Sequence, residues 1–118
     1  MKIRIKGNSL RFRLTRSDIS KLNGSGFLEE RTSFPGQDLV YAIKRTEDQF
    51  LSSEFTDHQI ILHMPVSMIM ALAETEKVGF ADNSGIISCL VEKDFTCLDN
   101  VDEDQSDNFP NPVAIGKK

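Results

Sequence analysis

Residues 1–15 read MKIRIKGNSLRFRLT, and the way this stretch pairs with itself decides the fold. Ile3, Ile5, Leu10, Phe12 and Leu14 alternate with Lys2, Arg4, Lys6, Arg11 and Arg13, the period-two pattern of a strand pair covered on one side. Gly7-Asn8 between the two runs is a two-residue turn signal, with glycine at the first central position as a type II′ turn prefers. A turn there sets the register: Lys6 against Ser9, Ile5 against Leu10, Arg4 against Arg11, Ile3 against Phe12 and Lys2 against Arg13. The apolar residues then share one face, and cations oppose cations on the other. Like charges directly opposite one another destabilise a sheet, so the pattern calls for an anion beside them.

Beyond Leu14 the apolar period lengthens. Thr15 or Ser17 can cap a short helix with Ile19 and Leu22 inward and Asn23-Gly24 at its end. Phe27–Phe34 reads as a strand, Pro35-Gly36 as a type II turn and Leu39–Arg45 as the next strand. Phe50–Phe55 is a weaker strand and Gln59–Met64 a strong one. Pro65 suits a first helical position, and VSMIMALAETEK predicts a helix with Ile69, Met70, Leu72 and Ala73 inward. Val78–Ala81 and Ile86–Glu92 make a last hairpin. Every tight connection is hairpin-like, so the expected fold is α+β: one domain over residues 1–98, a mainly antiparallel sheet or partly closed barrel with two short helices. An acidic, proline-containing tail over residues 99–118 follows. The expected core draws on Ile3, Ile5, Phe12, Leu14, Leu22, Tyr41, Ile43, Ile60, Leu62, Ile69, Leu72, Val78, Phe80, Ile87 and Cys89. A weak internal echo runs through the chain, since Thr15, Ile19 and Leu22 stand fifty residues before Pro65, Ile69 and Leu72.

The 118 residues carry a net charge of −4, which hides an asymmetry. Residues 1–21 hold seven of the fourteen basic residues, and residues 92–107 hold seven of the eighteen acids. Such opposed ends either neutralise each other or present one sign to a partner. No stretch is long and apolar enough to span a membrane. The cationic start lacks the apolar run of a signal peptide, so Cys89 and Cys97 are expected as free thiols and the cytoplasm as the location.

No GxGxxG, GxxxxGK[ST], GxSxG or HExxH occurs, which removes the common nucleotide-dependent and hydrolase signatures. The acids Asp99, Asp102, Glu103, Asp104 and Asp107 have the charge of a calcium loop without its glycine and closing glutamate. Two cysteines and two histidines lack zinc-ligand spacing. No metal and no cofactor is therefore expected. Cys97, with His58 or His63 as base, is the one arrangement that could support thiol or hydrolytic chemistry. The candidate ligand-binding residues are Lys2, Arg4, Arg11, Arg13 and Arg16, cations suited to an anionic group.

Two resemblances follow from particular residues. MKIRIKGNSLRFRLT, TSFPGQDLVYAI, QIILHMP, VEKDFTCLD and the acidic FPNP ending resemble a family of short uncharacterised bacterial proteins across almost the whole chain. That resemblance implies a small free-standing cytoplasmic protein and brings no activity, cofactor or catalytic residue. Separately, LTRSDISKLNGSGFLEE is similar over about twenty residues to the strand–helix–strand unit of swapped-hairpin transcription regulators, with Leu14, Thr15, Arg16, Ile19 and Leu22 at matching positions. This implies DNA binding by the basic strands of a dimer. The second unit departs, because MPVSM has no basic residue after its proline.

Three function classes result. The leading one is a small non-catalytic binding or regulatory module whose anionic partner meets the basic hairpin. The alternatives are a dimeric DNA-binding regulator on the same stripe and a small thiol-dependent or hydrolytic enzyme centred on Cys97. The chain's own acids are a further candidate partner: Asp94 with some of Asp99, Asp102, Glu103 and Asp104 is expected to fold back within ion-pair reach of at least one arginine.

Overall fold

The computed structural model describes residues 1–95. The chain runs β1 (Lys2–Lys6), β2 (Ser9–Leu14), α1 (Arg16–Ser25), β3 (Phe27–Phe34), β4 (Gln37–Thr46), β5 (Ser52–Thr56), β6 (Gln59–Pro65), α2 (Val66–Glu74), β7 (Gly79–Asp82) and β8 (Ser88–Lys93). The first hairpin takes the register set by its turn, with Arg4 opposite Arg11 and Lys2 opposite Arg13. Gly7 has φ of 53°, in the left-handed region that glycine enters without penalty. Thr15 caps α1 through a reciprocal box: the Asp18 N–H donates to Thr15 Oγ1 at 3.2 Å, and the Thr15 N–H donates to Asp18 Oδ2 at 2.9 Å. The helix runs past Asn23-Gly24 to Gly26, whose φ of 77° closes it with an N–H to the Leu22 carbonyl.

The strands form two four-stranded sheets, ordered β1-β2-β8-β7 and β3-β4-β6-β5. Neither closes into a barrel. Both are mixed: β2 runs parallel to β8 and β4 parallel to β6, while the outer pairings are antiparallel. The parallel seams join strands from different halves of the chain, so no single turn announces them.

The sequence echo is a structural duplication. Residues 1–46 and 52–93 each build a hairpin, a helix and a second hairpin, and each sheet takes one hairpin from each half. The halves therefore exchange hairpins. Equivalent bonds recur: Ser88 N–H donates to the Asn8 carbonyl at 2.8 Å, and Val40 N–H to the His58 carbonyl at 3.1 Å. At the helix ends, Arg45 Nη1 donates to the Asn23 carbonyl at 2.9 Å and Lys93 Nζ to the Thr75 carbonyl at 3.0 Å. Cations there satisfy last-turn carbonyls and complement the helix dipole.

One apolar core lies between the sheets and under both helices. It contains Leu10, Phe12, Leu14, Ile19, Leu22, Leu28, Ile43, Ile60, Leu62, Met64, Ile69, Leu72, Cys89 and Val91, with Ile3, Tyr41, Phe80 and Ile87 packed against it. Cys89 Sγ reaches Ser53 Oγ across this core at 3.5 Å. Two expected core residues are exposed instead, Ile5 at 55% and Val78 at 51%. Ile5 lies on an edge strand near a hairpin tip, and Phe55, at the matching place in the second half, is exposed too. Strand alternation points both inward, but the tips overhang the core. On α2 only Ile69 and Leu72 are buried; Met70 and Ala73 are exposed because α2 covers the sheet with a narrower stripe than its apolar sequence suggests.

Candidate functional site

The cation-bearing face of β1 and β2 is the outer face of the first sheet, turned away from the core. Pairing across the four strands arranges it in rows. Arg4, Arg11, Leu90 and Ala81 make one row. Lys6, Ser9 and Ser88 begin the next, which Asn83, just past β7, extends. These eight side chains line an open depression of about 430 Å³, to whose wall Leu10 and Cys89 also contribute. Its β1–β2 end is cationic; its β8–β7 end is neutral, with aliphatic Leu90 and Ala81 beside hydrogen-bonding Ser88 and Asn83. The loop carrying Asn83 is shaped by Asp82, whose Oδ1 accepts from the Ser84 hydroxyl and, at 2.9 Å, from the Ser84 N–H. Those two bonds hold the Asp82 carboxyl below its ordinary range.

The next row shows what offsets the opposed cations. Glu92 on β8 stands beside Arg13, and its Oε1 lies 3.1 Å from Arg13 Nε and 3.4 Å from Arg11 Nε. Lys2 Nζ lies 3.1 Å from Asp94 Oδ2. Gly79 sits opposite Glu92, where a Cβ would come within 2.5 Å of the Val91 carbonyl oxygen and 2.9 Å of Glu92 Cβ. Among the described residues, Glu92 pairs with Arg11 and Arg13 on this face and Asp94 pairs with Lys2.

The structure thus brings Lys2, Arg4, Arg11 and Arg13 onto one face. Arg16 stands apart as the first residue of α1, exposed and outside the depression. Lys6, Ser9, Asn83, Ser88, Ala81 and Leu90 complete the depression. Of these Lys6 was visible in the hairpin pattern, whereas the β7 and β8 residues carry no local signal. Asp94 meets Lys2 of the stripe. Cys97 and the acids Asp99, Asp102, Glu103 and Asp104 lie outside the described residues. His63 Nε2 lies 2.8 Å from Glu54 Oε1 on the second sheet, and His58 sits in the β5–β6 turn, exposed. Among the described residues no group of three or more His, Cys, Asp or Glu side chains is placed to hold a metal, and no helix is long and apolar enough to cross a membrane.

A family model described as a family of unknown function (DUF7009) matches residues 1–113. No curated protein and no solved structure matches the chain.

Proposed function

We propose that this chain, which belongs to that family of unknown function, is a non-catalytic binding or regulatory module of the bacterial cytoplasm whose anionic partner meets the outer face of the first sheet. The observation that carries this reading is the charge of that face: five cations from one hairpin, ringing and flanking a depression, with Glu92 and Asp94 as described counter-ions. Such a surface attracts anions while keeping two acids in place to limit repulsion between its own strands. A free, buried thiol at Cys89 fits a reducing compartment.

The test is anion binding by the full chain to immobilised heparin and to short duplex DNA over a range of salt. Phosphate or sulfate contacts make log affinity fall linearly with log salt. Arg4→Gln, Arg11→Gln and Arg13→Gln together should abolish retention. Unchanged retention in that triple variant would remove the reading. The DNA-binding alternative draws on one observation, the exchange of hairpins between two like units, which fits the swapped-hairpin resemblance. It requires duplex DNA to bind more tightly than heparin of equal charge.

A further inference from the structure

Four strands end the two sheets: β1 and β7 on the first, β3 and β5 on the second. An unpaired edge is a template for another strand, and proteins blunt it by shortness, charge or proline. β7 has four residues and β5 has five, and β1 carries Lys2, Arg4 and Lys6 within five. β3 has eight residues, all exposed except Leu28, with no lysine and no proline. Backbone groups of an antiparallel strand point alternately to its two sides. Phe34 and Gln37 close the two-residue turn as a bonded pair, which turns the N–H and C=O groups of Phe27, Glu29, Arg31 and Ser33 away from β4. Phe27 agrees: its N–H donates to Ser25 Oγ at 3.4 Å, and its carbonyl accepts from that hydroxyl at 3.1 Å. Among the described residues, no backbone group bonds Glu29, Arg31 or Ser33 on that outward side.

A second copy related by a two-fold axis through the sheet meets this edge with like residues on like faces. With the axis at Glu30, Glu29 of each copy stands opposite Arg31 of the other. Both belong to the outward-bonding set, so each such pair exchanges two backbone hydrogen bonds. Arg31 Nη2 also lies 3.7 Å from its own Glu29, and its Nη1 lies 2.9 Å from Asp38, so the Glu29 and Arg31 side chains of the two copies alternate in sign around a square. An axis at Glu29 or at Arg31 would set like charges against each other in the bonded positions. The axis at Glu30 opposes the two Glu30 side chains, and each of these has its own Met1 ammonium 3.7 Å away. Phe34, 55% exposed, comes diagonally beside Leu28 of the other copy. From this complementarity we infer that β3 pairs antiparallel with β3 of a second copy, Glu29 opposite Arg31, and extends the second sheet to eight strands.

The test is sedimentation equilibrium of the full chain over a wide range of concentration, where the mass should rise towards that of two chains. Ser33→Pro removes an outward N–H and no bond to β4, so it should keep the far-UV circular dichroism and weaken association about tenfold. Arg31→Glu sets a carboxylate against Glu29 at both pairs and should also weaken association about tenfold. Glu29→Arg combined with Arg31→Glu restores opposite signs at the same places and should bring association back to within about threefold of the parent. Glu30→Gln removes the one like-charge pair and should tighten association several-fold. A chain that keeps the mass of one copy at every concentration overturns the inference. A dimer indifferent to Ser33→Pro and Arg31→Glu forms at another surface and overturns it too, as does a dimer that the double exchange fails to restore.

Discussion

Across the first sheet, Arg4, Arg11, Leu90 and Ala81 stand side by side; across the second, the matching row is Glu54, Ile61, Ala42 and Glu29. One row further along, Arg13 and Glu92 answer to His63 and Lys44. On one and the same framework the sign inverts at two places, Arg4 against Glu54 and Glu92 against Lys44, and a charge is lost at a third, Arg11 against Ile61. The outer face also differs in burial: Val40, Ala42 and Ile61 are buried on the second sheet, whereas Arg11, Leu90 and Glu92 are only partly covered on the first. Accordingly β2 alternates strictly between covered and uncovered residues, and β6 reads as the run IILHMP, covered on both sides. Inner faces are held alike because both build one core. Outer faces are under no such requirement, and the basic depression lies on the first sheet.

The largest test of this likeness concerns Phe12 and Leu62, at matching places on β2 and β6 and both with no exposed surface. Phe12→Ala should lower stability by about 3–5 kcal/mol and Leu62→Ala by about 2–5 kcal/mol. Denaturant unfolding should stay a single transition in both, since each sheet contains a hairpin from each half. Separate melting of the two sheets would break the comparison.

Helix caps differ between the halves, and the difference should show in pH. Thr15 and Asp18 box the start of α1, while Pro65 at the start of α2 offers no side-chain cap. Thr15→Ala should cost about 1 kcal/mol. Burial pushes the Asp18 carboxyl up, but hydrogen bonds from the Met1 ammonium, 2.8 Å away, and from Thr15 outweigh it and hold it below the ordinary value. Its folded pKa being depressed, Asp18 contributes stability that is full above the unfolded carboxylate pKa of about 4 and is lost as pH falls through the lowered folded value. Thermal melts from pH 7 to pH 2 should lose this component in Asp18→Asn.

The two unit-opening hairpins turn differently. In the β1–β2 turn only Gly7 takes positive φ, whereas in the β5–β6 turn both Asp57 and His58 do, with φ of 49° and 63°. His58→Gly should stabilise by up to about 1 kcal/mol and Gly7→Ala should destabilise by about as much, read as shifts in denaturation midpoint.

The smallest stability effect and the sharpest contrast belong to the counter-ions. Glu92→Gln should cost only about 0.2–1 kcal/mol, since Arg11 and Arg13 keep part of their surface in water, yet raise heparin affinity at low salt. Glu54→Gln on the second sheet should leave heparin affinity unchanged. Equal responses would mean that the charge difference between the outer faces has no bearing on binding.

Much of the chain was open to local reading. The β1–β2 register, the β3 limits and the Thr15 cap followed from turn chemistry, period-two alternation and a short-range hydrogen-bond pattern. The limits of α1 and α2 were less secure: Gly24 is a helix-ending residue by type, but Gly26 takes the left-handed conformation and stops the helix. Leu28, Val91 and Met64 joined the core without being expected there, because burial depends on which strands lie overhead. At the site, Lys2, Arg4, Arg11 and Arg13 were visible as a stripe. Glu92, Ser88, Leu90, Ala81 and Asn83 were not, since a pairing across more than seventy residues leaves no mark in either segment.

By itself, then, the sequence determined the local units: two hairpin–helix–hairpin repeats, their turns and caps, and a cationic face on the first hairpin that demands an anion. These are set by interactions within a few residues, where propensity, alternation and side-chain capping act directly. Only the tertiary structure decided that the halves exchange hairpins, that β2 meets β8 and β4 meets β6 in parallel, and that Glu92 lies between two arginines beside a depression with one charged and one neutral end. Those contacts join segments far apart in the chain. They form because each half has one apolar face that neither could bury alone, and packing the two faces together fixes which outer residues become neighbours.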